Sequence, residues 1–254
     1  MSNMIKILDM TDSEIVDTIQ SGKLNICVIG IGRIGLPTAL SFANSGLPTI
    51  GVDINEKLVE MITSRNFPLN DEPGYDIIFD KVINENKFKA TTSFSEGVSS
   101  SDVIVLSLPT PMDEKNIPDY SSLLSIAKKL HDEISDGKLI IIESTVEPGF
   151  VENDFLKIIE GDDNKLKLGK NFALGVCPET ANPGQILNDF ERLPRLVGAM
   201  DEHTQNLITK IYKHVFTVEL IPMPNCKTAN AVKLTTNVFR DLNIAFVNEL
   251  ALIF

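Results

Sequence analysis

Three glycines and an acid carry the clearest chemistry in this chain. Gly30, Gly32 and Gly35 fall between Ile29 and Pro37, and Asp53 follows Gly32 by 53 − 32 = 21 positions. In a dinucleotide-binding fingerprint the first glycine permits a tight turn, the second lets a pyrophosphate approach the backbone, and the third lets a helix pack on its strand. The diphosphate then lies on the helix N-terminus, with Arg33 and Ile34 in the turn, and an acid closing the next strand binds ribose hydroxyls. Ile54 and Asn55 follow Asp53, so no arginine there is placed to receive a 2′-phosphate, and NAD is expected over NADP.

A second group of polar residues stands where strands should end. Thr110 follows an apolar run in Pro109-Thr110-Pro111, Ser144 and Thr145 follow another, and Glu179 follows a third in Cys177-Pro178-Glu179. A hydroxyl in that setting can orient a ligand or a water; it serves equally well as a cap for the next helix. Lys233, Asn237, Arg240 and Asp241 share one helical face by i, i+3 and i+4 spacing, a pattern that ordinarily marks a solvated stripe.

The elements that must position these residues read as an alternating series. Strands are predicted at 26–29, 48–52, 88–92, 102–108, 138–143, 172–176, 195–197 and 218–221, with helices after the glycine turn, at 55–65, after residue 149 and at 202–213. Such alternation implies an α/β fold, a Rossmann-like doubly wound parallel sheet covered on both faces, in which ligands bind at the carboxyl ends of the strands. Thr11-Asp12-Ser13-Glu14 ahead of Ile15, Val16 and Ile19 predicts a short capped helix before the first strand. Residues 66–74 read as a turn-rich loop. From Asn225 to Phe254 no Gly or Pro interrupts the chain, which predicts one long helix, almost wholly apolar from Ile244 onward. A helix of that kind needs a covering surface, from a second subunit or from further chain.

Composition narrows the function. A length of 254 residues suits one large domain and part of another, and 43% hydrophobic with 23% charged residues is globular. A net charge of −12 argues against a nucleic-acid surface and against an anionic membrane, so a phosphate-bearing ligand must be met by helix N-termini and a few placed cations. No apolar run has the length of a membrane span and the N-terminus lacks the regions of a secretory signal, so a cytoplasmic protein is expected. Cys27, Cys177 and Cys226 are widely spaced, with no CxxC pair and no neighbouring His; they read as core or loop thiols, and no metal site is expected.

Together with Glu72-Pro73-Gly74, Pro109-Thr110-Pro111, Ser144-Thr145-Val146, Pro178-Glu179 and the block from Ala229 to Leu250, the fingerprint resembles the nucleotide-sugar 6-dehydrogenases of the UDP-glucose/GDP-mannose dehydrogenase family. Pro183-Gly184 and the run from Asn237 to Ala245 are similar to its UDP-N-acetylhexosamine branch; the UDP-glucose branch commonly has a glutamate where Pro183 stands. The resemblance implies a protein that binds NAD and a UDP-sugar, UDP-N-acetyl-D-mannosamine above others, and takes part in oxidising the C6 alcohol to a carboxylate in two hydride transfers. It makes Lys233 the catalytic lysine, Asn237 its oxyanion-stabilising neighbour and Arg240 a holder of the nucleotide sugar. Thr110 and Thr145 would touch the cofactor, Thr145 also positioning a water, and Glu179 would serve as base. Thr180 and Ala181 fall at substrate-contact positions where Arg-Val is common, and Arg33 replaces a common Tyr.

The resemblance also implies an absence. The family's nucleophilic cysteine lies in a glycine-rich motif beyond the long helix, and no thiol here has that setting. The expected organisation is therefore an N-terminal extension at 1–23, a Rossmann NAD-binding domain at 24–222 and the start of an all-α dimerisation domain at 223–254, binding cofactor and a second copy without completing the four-electron reaction. Two rival readings are an enzyme acting on UDP-glucose or a β-hydroxyacid, against which Phe239-Arg240-Asp241-Leu242-Asn243 counts, and a short NAD-binding module that regulates a partner.

Overall fold

Apolar β-branched runs become the strands, and amphipathic segments between them become the helices. In the computed structural model, which describes residues 6–163 and 165–254, the strands are β1 Ile26–Ile29, β2 Thr49–Val52, β3 Phe88–Thr91, β4 Val103–Leu106, β5 Lys138–Ile142, β6 Phe172–Val176, β7 Arg195–Ala199 and β8 Leu220–Pro222. The helices are α1 Asp12–Gln20, α2 Gly35–Asn44, α3 Glu56–Thr63, α4 Tyr75–Asn84, α5 Phe94–Ser99, α6 Ser121–Glu133, α7 Leu156–Glu160, α8 Ile186–Arg192, α9 Glu202–Val215 and α10 Cys226–Ile253. A π-helical turn, Val151–Phe155, leads into α7.

The eight strands form one sheet in the order β3-β2-β1-β4-β5-β6-β7-β8. Strand order reverses between β1 and β4, the switch point at which a doubly wound sheet opens a crevice. Ile29 lies opposite both Val52 and Leu106, so β1, β2 and β4 end level and Gly30, Asp53 and Ser107 emerge side by side. β1, β4, β5 and β6 are buried along their whole length because helices cover both faces. Successive residues of β1 serve opposite cores: Ile26 and Val28 pack with Phe42, Phe79 and Tyr212, whereas Cys27 and Ile29 pack with Leu123, Phe155 and Ala229.

The predicted N-terminal helix is present with a full capping box at Thr11 and Glu14. Ile15 and Ile19 are buried in the first of these cores, so the segment ahead of β1 packs as part of the same body.

One expectation is corrected. The sheet is parallel from β3 through β6, but β7 pairs antiparallel to β6, and β8 runs parallel to β7. The connection from β6 to β7 runs through a long loop and the seven-residue α8, which packs beside the carboxyl ends of the strands where Glu72 binds its Ile186 amide. The chain therefore re-enters the sheet from the carboxyl edge. This reversal puts Arg195, the first residue of β7, at that edge, and it aims α10: the helix starts against Gly198, where an added Cβ would stand 2.7 Å from the Asn225 carbonyl, and runs back toward the ligand side. Asn225 caps it by accepting the Thr228 amide at 2.8 Å, and Glu152 accepts the Lys227 amide at 2.8 Å, a carboxylate at the positive helix end.

Candidate functional site

The three glycines separate into three physical roles. Gly30 has φ +86°, and a Cβ there would meet the Ser107 carbonyl at 2.6 Å, so β1 can turn there only without a side chain. A Cβ on Gly35 would collide with the Gly30 carbonyl, which fixes how closely α2 approaches the turn. Around Gly32 no atom lies within 4 Å of the Cβ position, which leaves the backbone open to a ligand. Asp53 is tied to the same turn: Oδ2 accepts the Ile31 amide at 3.0 Å and Oδ1 the Asn55 amide at 2.9 Å, so the carboxylate is oriented and retains lone pairs for hydroxyl donors.

A cleft of about 940 Å³ opens over this turn. Gly30, Gly32, Arg33, Ile34, Asp53, Thr110 and Thr145 all line it, every residue expected at a cofactor but Gly35, and so does Glu179, the expected base. Gly35 does not, because its place is beneath the turn. Ser144 takes a third role beside the two its position suggested: its hydroxyl accepts the Leu108 amide at 2.8 Å, locking the segment after β5 to the segment after β4. The Thr110 hydroxyl donates to the Thr145 carbonyl at 2.8 Å and closes the same lock.

No residue of α10 lines the cleft; the helix approaches it through Lys233, which interacts with Glu179 of the lining. Lys233 is buried, in contrast to the solvated stripe that its spacing suggested, and its charge interacts with that of Glu179. Burial pushes the Lys233 ammonium below its ordinary value, opposed by Glu179. Burial pushes the Glu179 carboxyl up, while the Ala181 amide, Arg195 and Lys233 pull the other way. Asn237 is half-buried one turn further along, and Arg240 donates to Asn182 Oδ1 at 2.8 Å. Thr180 and Ala181, both half-buried, form the loop between Glu179 and Asn182, and the Ala181 amide donates to Glu179.

Three residues that sequence reasoning left without a role hold this edge together. Glu143, which also lines the cleft, accepts from Arg195 at 2.9 Å, Tyr212 at 2.8 Å and Thr38 at 3.2 Å. Glu72 accepts the amides of Gly184 at 2.6 Å and Ile186 at 3.2 Å, and Asn182 donates through its amide and side chain to Asp189 at 2.8 and 2.9 Å. Their partners are 7 to 114 positions away in sequence, and no local pattern announces such pairs. All three thiols are buried, which pushes each up to about 12 and leaves them unreactive. Among the described residues no cluster of three or more His, Cys, Asp or Glu is placed to hold a metal ion, and no helix is long and apolar enough to cross a membrane.

A doubly wound sheet, a glycine turn open at its second glycine and an oriented acid at the end of β2 define a dinucleotide-binding Rossmann domain. The sequence pattern of the UDP-glucose/GDP-mannose dehydrogenase family, NAD binding domain, matches residues 24–216, and the chain belongs to that family. It is 35% identical over 235 residues to the UDP-N-acetyl-D-mannosamine dehydrogenase of Campylobacter jejuni, covering 90% of this chain and 56% of that protein. The structure of the UDP-D-ManNAc dehydrogenase from Pyrococcus horikoshii superposes with a TM-score of 0.84 at 33% identity, covering 91% of this chain and 54% of that one. The GDP-mannose dehydrogenase from Pseudomonas aeruginosa, solved as a ternary complex, superposes at 0.82 with 25% identity over 88% of this chain and 51% of its own. The chain thus spans about half the length of the curated relatives it matches.

Proposed function

We propose that this chain forms the NAD site and part of the sugar site of a UDP-N-acetylhexosamine 6-dehydrogenase, with UDP-N-acetyl-D-mannosamine as the substrate. The observation that carries the reading is the convergence of two separate elements. The glycine turn and Asp53 furnish a cofactor cleft, and α10 buries Lys233 within electrostatic reach of Glu179, which lines that cleft.

The residues fit the cofactor: Gly32 leaves room for a diphosphate and Asp53 accepts from ribose hydroxyls. Bound NAD would supply the hydride acceptor for oxidation at the sugar's C6 carbon. The chain's own residues then act on protons and charge. Lys233, whose charged form burial disfavours, either stabilises as ammonium the alkoxide developing at C6 or, as the neutral amine, accepts the C6 hydroxyl's proton; Asn237 adds an amide donor one turn away on the same face. Glu179, a stronger base for its raised carboxyl, accepts the proton of the attacking water, Thr145 orients that water, and Arg240, steadied by Asn182, holds the nucleotide sugar. None of the three buried thiols can hold the aldehyde as a thiohemiacetal.

The exposed apolar side chains of α10, including Phe239, Leu242, Phe246 and Val247, are covered by a second copy in this reading, since burial of apolar area favours association by roughly 25 cal/mol per Å². A monodisperse monomer in sedimentation at high concentration would contradict the homodimer.

The catalytic test uses NADH absorbance. The unmodified chain is expected to bind NAD without sustained NADH production from UDP-N-acetyl-D-mannosamine. A chimera that continues this chain with the remaining half of the Campylobacter jejuni enzyme is expected to turn over and to lose on the order of 10² to 10³ in rate on Lys233→Ala, with NAD affinity kept. Near-normal turnover of that variant, or steady turnover by the isolated chain, would contradict the proposal.

A further inference from the structure

Arg33 lines the cleft, yet its charge is engaged outside it. The guanidinium pairs with Asp71 and lies 3.7 Å from Glu72, both in the loop ahead of α4. The two acids differ in what else they do. Glu72 is buried and committed to the Gly184 and Ile186 amides, so it is a fixed part of the scaffold. Asp71 is exposed, and its hydrogen bond from Arg33 holds its carboxyl below the ordinary carboxylate value.

With side chains 45% and 58% exposed, the Arg33–Asp71 pair is a weak one, worth about a factor of two to five. A guanidinium that meets a phosphate in a fork of two charge-assisted hydrogen bonds is bound more strongly. The cleft has few other sources of positive charge. Arg33 and Lys129 are the cations lining it, and Lys129 is set over the Phe94 ring, 5.4 Å from its centroid, whereas Arg33 adjoins the open backbone at Gly32.

We propose that Arg33 is a ligand for the dinucleotide's diphosphate that Asp71 holds in reserve: on cofactor entry the guanidinium exchanges Asp71 for phosphate oxygens, so Asp71 sets cofactor affinity by competing for Arg33. The inference rests on the dinucleotide reading of the cleft. Glu72 keeps both backbone amides during the exchange, so the loop after β6 stays in place while the turn changes partner. A merely structural tie makes the opposite prediction for Asp71, because loosening the turn would weaken the cofactor.

The test is a calorimetric double-mutant cycle on the 254-residue chain with NAD, and with ADP-ribose, which keeps the diphosphate and lacks nicotinamide. Asp71→Asn, and Asp71→Ser as a second removal of the charge, should tighten both ligands by about two- to fivefold. Arg33→Met should weaken both by on the order of tenfold, with Arg33→Lys intermediate. In the Arg33→Met background Asp71→Asn should change nothing, since nothing is left to compete for. Unchanged or weaker binding on loss of the Asp71 charge, or unchanged binding by Arg33→Met, would overturn the proposal while leaving the dinucleotide reading intact. No NAD binding by any form would overturn both.

Discussion

Arg195 donates from Nη1 to Glu143 Oε1 across 2.9 Å, between side chains that are 1% and 0% exposed. The guanidinium carbon lies over the Phe190 and Phe216 rings, 4.3 and 4.0 Å from their centroids, and the same Glu143 oxygen accepts the Tyr212 hydroxyl at 2.8 Å. The reversal of β7 makes this contact, because a parallel β7 would place Arg195 at the opposite edge of the sheet. The pair thus joins β5, β7 and α9 beneath the cleft, and through Thr38 it reaches the helix that follows the glycine turn.

Breaking that pair from one side should be costly. Arg195→Met leaves a buried carboxylate without its counter-charge and is expected to destabilise the chain by about 3–5 kcal/mol. Adding Glu143→Leu to it should recover part of the loss. Urea denaturation with an unchanged m-value checks both, and additive losses would show the two residues to be energetically independent.

The glycines of the turn should separate folding from binding. Gly35→Ala drives a Cβ into the Gly30 carbonyl and should destabilise by more than about 3 kcal/mol, beyond ordinary overpacking. Gly32→Ala meets nothing in the protein and should leave the melting temperature nearly unchanged while weakening NAD, since its methyl stands where the diphosphate approaches. Thermal melts with and without NAD distinguish these outcomes.

Glu179 supplies a pH-dependent test. Its carboxyl is raised above the ordinary 4.5 in the folded chain, first by burial, so the folded state holds this proton more tightly than the unfolded state does. The associated stability is fully present below pH 4.5 and is lost as pH rises through the raised value. Glu179→Gln does not titrate, so the melting temperature of the variant minus that of the unmodified chain should become more positive as pH rises from 4.5 toward neutrality. A difference that stays flat or falls would reverse the assignment.

The legible parts of the molecule were those written in local pattern. Most of the strands are short apolar runs, and the glycine turn, the Thr11 cap and the Asn225–Phe254 helix have sequence signatures of their own. Helix α4 went unread because Glu72-Pro73-Gly74 reads as a turn and its N-cap is a left-handed glycine with no side-chain cap, although Tyr75, Phe79 and Val82 recur at i, i+4 and i+7. The direction of β7 was illegible for a different reason. It depends on which edge of the sheet the connection through α8 returns to, and alternation of strand and helix is the same whichever edge that is. For the site, residue type and spacing located Gly30, Gly32, Asp53, Thr110, Thr145 and Glu179 on one cleft. Burial of Lys233 and the anchoring roles of Glu143 and Glu72 arise from contacts over 50 to more than 110 positions, which one sequence does not display.

The most direct test of this account is calorimetric titration of the 254-residue chain with NAD and with NADP. Asp53, held by the Ile31 and Asn55 amides, accepts from ribose hydroxyls and repels a 2′-phosphate. NAD should therefore bind more tightly than NADP, and Asp53→Ala should weaken NAD and narrow the gap. Equal affinity for the two dinucleotides in the unmodified chain, or no binding of either, would contradict the account.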